Sequence, residues 1–298
     1  SEFRTALLNM RSDPDNHVAI LTPGPFSETY FEQSYIARYL GLLLVEGEDL
    51  TVKQGQVFVR TVSGLQPVDV LWRRLDTLYA DPLELDETSQ IGTAGLVGAI
   101  RRGSVSVVNA LGAGVLESRA LLAFLPRISR ALAGGPLAMP NIATWWCGQR
   151  AERSHVLSRL EAMMLAPALS TRQMFDPEES SLMGSQLRRQ GLDYARHLVE
   201  TEGDMLVGQE AVSFSTSPAW VDGKLVPRPM SLRVFMVRTA SGWSVMPGGF
   251  ARIGSDEAAP VFSMQSGSSV ADVWIVSDEP VDTVTHLASG QARAPRAK

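Results

Sequence analysis

Arg233 and Arg252 stand on either side of Pro247-Gly248-Gly249 in a strand-rich stretch, and Asp272 follows further along the chain. Guanidinium forks pair with phosphate or carboxylate oxygens in bidentate fashion, so arginines held near a glycine turn suit a pocket for such an anion. A second group, Arg73-Arg74-Leu75-Asp76, lies at the end of the hydrophobic run Val68 to Arg73. Strand ends of this kind are where α/β sheets place ligands, and an acidic substrate would suit the arginine pair. An ion-paired strand terminus would use the same residues. The matching amine is scarce: of 27 basic residues only Lys53, Lys224 and Lys298 are lysines. A phosphate site that needs a lysine point charge has few candidates here.

The elements that must carry these residues are legible from hydrophobic period and turn residues. His17 to Leu21 reads as a buried strand, and Thr22-Pro23-Gly24-Pro25 breaks it. A helix from about Ser27 to Leu40 places Phe31, Tyr35, Ile36, Tyr39 and Leu40 on one face. Leu42 to Val45 is a strand, and Leu50 and Val52 face Val57 and Val59 across a Gln54-Gly55 hairpin. Val68 to Arg73 is the next strand, so the first part is an α/β pattern. Further helices are expected over 91–102 and 116–133, with a short strand over 105–109 between them. Helix-like spacing covers 154–165, a polar turn covers 176–181, and 182–202 reads as an arginine-rich amphipathic helix. The chain then turns strand-rich, with hairpins across Asp222-Gly223 and Ser241-Gly242.

At 298 residues with 45% hydrophobic content, two packed units or one large one are expected. The expected division is a lead-in over 1–16, an α/β domain over 17–150, a second domain over 151–282, and a tail or linker over 283–298. A net charge of −5 gives no reason to expect nucleic acid or an anionic membrane as partner. No run approaches the roughly 18 apolar residues of a membrane span, and the cytoplasm is the default expectation. The single cysteine, Cys147, allows no internal disulfide, and four scattered histidines give no zinc spacing. Cys147 beside Trp145 and Trp146 reads as a core thiol, and the two tryptophans as packing between the units.

Taken together, Thr22-Pro23-Gly24-Pro25, Tyr30-Phe31-Glu32, Val45-Glu46-Gly47, Arg73-Arg74-Leu75-Asp76, Asn109-Ala110, Thr144-Trp145-Trp146-Cys147, Ser215-Thr216 and Pro247-Gly248-Gly249 resemble the circularly permuted ATP-grasp proteins of type 2. The wording is most similar to the longer form fused to a helical alpha-E region. The resemblance runs from about residue 17 to residue 282. It implies an α/β (α+β) fold: a pre-ATP-grasp-like α/β domain followed by an ATP-grasp-like domain that clasps ATP and magnesium. The implied chemistry is ATP-dependent ligation of a small carboxylate or peptide-like substrate to an amine, with an adjoining alpha-E region as a possible partner.

Position by position, the resemblance places Gln209 and Glu210 on the strand that meets adenine and ribose. Arg233 and Arg252 match catalytic basic positions facing phosphates or substrate, and Asp272 matches an acidic position that would hold metal or phosphate. Two departures weaken the nucleotide site. Ala166 stands in Leu165-Ala166-Pro167 where the family has the lysine of Lys-Pro. Ala271 stands in Gly267-Ser268-Ser269-Val270-Ala271-Asp272 where it has the lysine before the aspartate. The loop Leu169 to Gln173 has no glycine to bring backbone N–H groups to phosphate, though it offers Arg172. The family's magnesium-ligating Glu and Asn lie N-terminal to the position of residue 1. The expectation is therefore a degenerate or incomplete site, or a noncatalytic binding module on the same fold.

Overall fold

The computed structural model describes residues 2–170, 182–183, 189–254, 269–278 and 280. By contacts the chain forms two compact units, one of residues 1–112 with 236–245 and the stretch from 276, the other of residues 113–235 with 246–275.

The first unit begins with α1 (Glu2–Leu8) and β1 (His17–Leu21), then α2 (Tyr30–Leu40), β2 (Leu43–Val45), β3 (Leu50–Lys53), β4 (Gln56–Thr61), β5 (Gly64–Arg73), α3 (Leu96–Arg101) and β6 (Ser106–Val108). Its sheet runs β2-β1-β5-β4-β3, with β6 also on β5. The hairpin register matches the alternation in the sequence, Leu50 opposite Val59 and Val52 opposite Val57. Gln54 and Gly55 turn it with φ of 52° and 81°. β5 does two jobs along its length: Gly64 to Pro67 pairs antiparallel with β4, and from Val68 onward it runs parallel to β1 and β6. Val68 and Leu71 of β5, on either side of a register shift against β1, join Leu21 of β1, Val45 of β2, Val57 of β4 and Leu96 of α3 in the main core.

α2 differs from its hydrophobic pattern. Gln33, Ala37 and Leu40 are its buried residues, while Phe31 is 84% exposed and Tyr35 52%. Leu40 is the one member of the expected face that is fully buried. The expected helix over 91–102 shortens to α3, because residues before it serve a carboxylate. Asp81, fully buried, accepts hydrogen bonds from the backbone N–H groups of Leu83 at 2.9 Å, Gly95 at 3.1 Å and Val97 at 2.9 Å. It satisfies donors at the start of α3 that no helical carbonyl can reach.

The second unit carries α4 (Arg119–Leu122), α5 (Leu125–Ala133), β7 (Thr144–Trp146), α6 (Arg150–Ser158), β8 (Met163–Pro167), β9 (Leu182–Met183), α7 (Arg189–Thr201), β10 (Leu206–Glu210) and strands β11 (Thr216–Val221), β12 (Lys224–Thr239), β13 (Gly242–Ile253) and β14 (Ser269–Trp274), with the β12–β13 hairpin end grouped by contacts with the first unit. One sheet has the order β7-β10-β8-β9, the other β11-β12-β13-β14. The single helix expected over 116–133 is broken into a 3-10 turn, α4 and α5, with Pro126 in the first turn of α5. Helix-like spacing over 154–165 was misleading: α6 ends at Ser158, and Met163 to Leu165 form a strand buried on both faces. A short apolar run buried on both sides has no period to distinguish it from helix. The helix expected over 182–202 is α7 from Arg189, with residues 182 and 183 in β9. The polar turn at 176–181, Arg172 and the tail lie outside the described residues. Residues 113–150, assigned from sequence to the first domain, group with the second unit: β7 pairs with β10, and the Ala120 N–H donates to the Ala168 carbonyl at 2.8 Å. Trp145 and Trp146 pack inside that unit, on opposite faces of one sheet.

Candidate nucleotide and substrate site

Three of the residues singled out by sequence come together on one face of the four-stranded sheet β11-β12-β13-β14. Phe250 pairs with Asp272 and Arg252 with Val270 across β13 and β14, so Arg252 and Asp272 share a face. The Arg233 guanidinium carbon stands 5.9 Å from the Phe250 ring centroid and 6.0 Å from that of Phe235. Arg252 approaches Phe250 at 5.8 Å, and the two phenyl rings are 6.0 Å apart. One ring therefore carries a guanidinium from each neighbouring position, an arrangement that holds both arginines by cation–π attraction. Burial, and then the nearby Arg233 guanidinium, pull the Arg252 pKa below its ordinary value. Arginine stays protonated regardless, so the face concentrates positive charge suited to a phosphate or carboxylate.

The glycine pair makes this closeness possible. Gly248 sits at φ +150°, and a Cβ there would stand 3.1 Å from the Val273 carbonyl oxygen. At Gly249 a Cβ would lie 2.2 Å from the carbonyl oxygen of Arg233 itself. Gly249→Ala is expected to cost about 1 to 3 kcal/mol, because the obstacle is backbone and cannot swing away. Its check is a denaturant midpoint; the expectation fails if the midpoint stays put.

Gln209 and Glu210, adjacent on β10, point to opposite sides of their strand. Gln209 is fully buried, donates through Nε2 to Thr144 Oγ1 at 3.0 Å, and leaves Oε1 without a hydrogen-bond partner among the described residues. Glu210 is exposed. They do not line a common wall.

Ala166 shares Gln209's face of the sheet, since Val207 pairs with Ala166 and Gln209 with Met164. It is 1% exposed, in a cluster with Ala168, Val207, Ala120 and Trp146. That spot is closed and apolar, so the residues present do not fit a triphosphate there. Ala271 pairs with Ala251 on the sheet face opposite to Asp272. Among the described residues no three His, Cys, Asp or Glu side chains gather to hold a metal, so Asp272 has no described co-ligands for magnesium.

In the first unit, Arg73 ends β5, and Arg74 and Asp76 follow it, beside the ends of parallel β1 and β2. Chain order reverses on either side of β1, the topological position at which doubly wound sheets commonly bind ligands. Yet Arg73 donates from Nε to the Asn109 carbonyl at 3.0 Å and from Nη1 to the Leu75 carbonyl. Asp76 caps the following 3-10 turn by accepting from the Leu78 N–H at 3.0 Å. Arg74 lies over Trp72 and 3.9 Å from Glu32, with both side chains partly exposed. Arg74 directs its charged group toward the Glu32 carboxylate and the Trp72 ring. Gly24, at φ +98°, brings the turn after β1 so near Glu46 that a Cβ would meet its carboxylate at 2.8 Å.

Cys147 is fully buried, and burial pushes its thiol up to about 11, against the lowering effects of the Gly208 N–H and Arg153. A thiol so disposed is a poor nucleophile. Sequence reasoning passed over Arg127, Gln149 and Glu152, which line a cavity in the second unit. The available signal was Gln149 followed by an acidic residue three positions on, a helix-start pattern.

The chain belongs to the circularly permuted ATP-grasp type 2 family, whose model matches residues 1–254. It is 36% identical over 277 residues to the uncharacterized protein Rv2567 of Mycobacterium tuberculosis, covering 92% of this chain and 30% of that protein. It is 31% identical over 283 residues to Rv2411c of the same organism, covering 94% of this chain and 50% of that protein. An uncharacterized Synechocystis protein, sll0335, is 29% identical over 273 residues, covering 87% and 53%. The chain thus spans about half or less of these curated relatives' length. No helix among the described residues is long and apolar enough to cross a membrane.

Proposed function

We propose that this chain is part of an ATP-dependent carboxylate–amine ligase whose nucleotide site is degenerate within these residues. The carrying observation is Ala166, enclosed by Ala120, Trp146 and Val207 where the family would place a phosphate-binding lysine. Each charge-assisted hydrogen bond forgone costs roughly 1.5 to 3 kcal/mol, so the loss of two lysines weakens nucleotide binding by orders of magnitude. The Arg233–Arg252 face supplies anion binding that suits the carboxylate of a small acid or peptide-like substrate. Arg74 offers a second acidic-substrate contact in the other unit.

Titration calorimetry with ATP and magnesium is the direct test. The expected result is no saturable, magnesium-dependent binding tighter than about 1 mM. Micromolar binding that requires magnesium would overturn the reading.

A second reading, a noncatalytic binding module, is favoured by exposed Val270 and Trp274 on β14, the last strand of its sheet. Hydrogen exchange with and without an adjoining helical region of a longer protein separates the two. Protection gained over β14 supports a module, and unchanged exchange there counts against it.

A further inference from the structure

We propose that the second unit holds a site for a small zwitterionic amino acid, in a cavity of about 180 Å³ lined by Phe124, Arg127, Thr144, Trp146, Gln149 and Glu152. It shares no residue with the Arg233–Arg252 face, and it does not rest on the nucleotide reading.

Three elements build it. Phe124 immediately precedes α5, which carries Arg127, and β7 supplies Thr144 and Trp146. Gln149 and Glu152 come from the start of α6, joined to β7 by a turn in which the Gln149 N–H donates to the Trp146 carbonyl at 3.2 Å. The aromatic wall is fixed in place: Trp146 Nε1 donates to the Asp204 carbonyl at 2.8 Å, and the Phe124 and Trp146 rings lie 6.1 Å apart. The carboxylate is also oriented. With its NH₂ turned toward Glu152, the Gln149 amide donates to both carboxylate oxygens at 3.0 and 3.1 Å.

The charges decide the ligand class. Arg127 is exposed and Glu152 half-buried, and among the described residues neither forms an ion pair. A simple anion would meet Arg127 but be repelled by Glu152, and a simple cation would meet the reverse. A molecule bearing both charges satisfies each, with its ammonium on Glu152, its carboxylate on Arg127 and its side chain against Phe124 and Trp146. Leaving either charge of the cavity unmatched is what discriminates against blocked analogues. The volume is below the roughly 300 to 1,000 Å³ of drug-sized sites, which favours one small amino acid over a peptide.

The test titrates the full chain, without ATP, with glycine, L-alanine, L-serine and L-valine, then with N-acetyl-L-valine and L-valinamide, read by calorimetry and tryptophan fluorescence. At least one free amino acid is expected to bind saturably, and both blocked valines at least about tenfold more weakly than valine. Glu152→Gln should abolish discrimination against the acetylated form, and Arg127→Gln discrimination against the amide. If Glu152→Gln fails to fold, exposed Arg127 decides alone. Absence of saturable binding by all four amino acids, equal binding of the blocked forms, or indifference to Arg127→Gln would each overturn the proposal.

Discussion

Restoring the lysine, Ala166→Lys, is expected to unfold or severely destabilise the second unit and to leave ATP binding unrecovered. Ala166 has no room: it is buried on β8 against Val207, with Ala120 and Trp146 closing over it. Forcing a long side chain into a packed cluster costs typically about 1 to 3 kcal/mol from overpacking alone. The ammonium adds a desolvation cost that it can escape only by losing its proton or pushing the cover away. A total above about 3 kcal/mol would be a large fraction of a domain's stability. Thermal melting and calorimetry with ATP and magnesium check both halves. A folded variant with newly gained, magnesium-dependent ATP affinity would show instead that α4 yields and that the site is only one side chain from function.

Asp81→Ala is expected to cost about 3 kcal/mol or more, read as a lowered denaturant midpoint. One carboxylate satisfies three backbone N–H groups, those of Leu83, Gly95 and Val97, with no exposure to water. Removing it leaves buried donors unpaired, which costs the desolvation of each group as well as the bond. Asp81→Asn keeps an acceptor oxygen and should lose part of that amount. The loop that leads into α3 depends on the same anchor: a Cβ at Gly92 would strike the Tyr79 carbonyl oxygen at 2.1 Å, so the backbone there has little freedom to compensate. If Asp81→Ala melts like the parent chain, Asp81 does not anchor this loop.

The site divides along similar lines. Residue types pointed to Arg233 and Arg252, and the Pro247-Gly248-Gly249 landmark between them is what allows the backbones to close. Gln209 was legible as a position but not as a core amide, because burial of a polar side chain depends on what packs above the strand. Arg73 and Asp76 illustrate the same limit: at a strand end, a charged residue serving neighbouring backbone groups is written with the same letters as one awaiting a ligand.

By itself the sequence determined the family, the hairpins across Gln54-Gly55 and Asp222-Gly223, and the strand that delivers Arg73 and Arg74, since period and turn chemistry are local; the hairpin expected across Ser241-Gly242 turns one residue earlier, at Ala240-Ser241, with Gly242 opening β13. Tertiary structure alone decided that Met163 to Leu165 is a strand, that α2 buries Gln33 and leaves Phe31 in water, and that Ala166 lies sealed beneath α4. Those outcomes turn on which distant surfaces meet. An apolar run buried on both faces has no period, and a single alanine does not reveal whether it borders a cleft or fills a core.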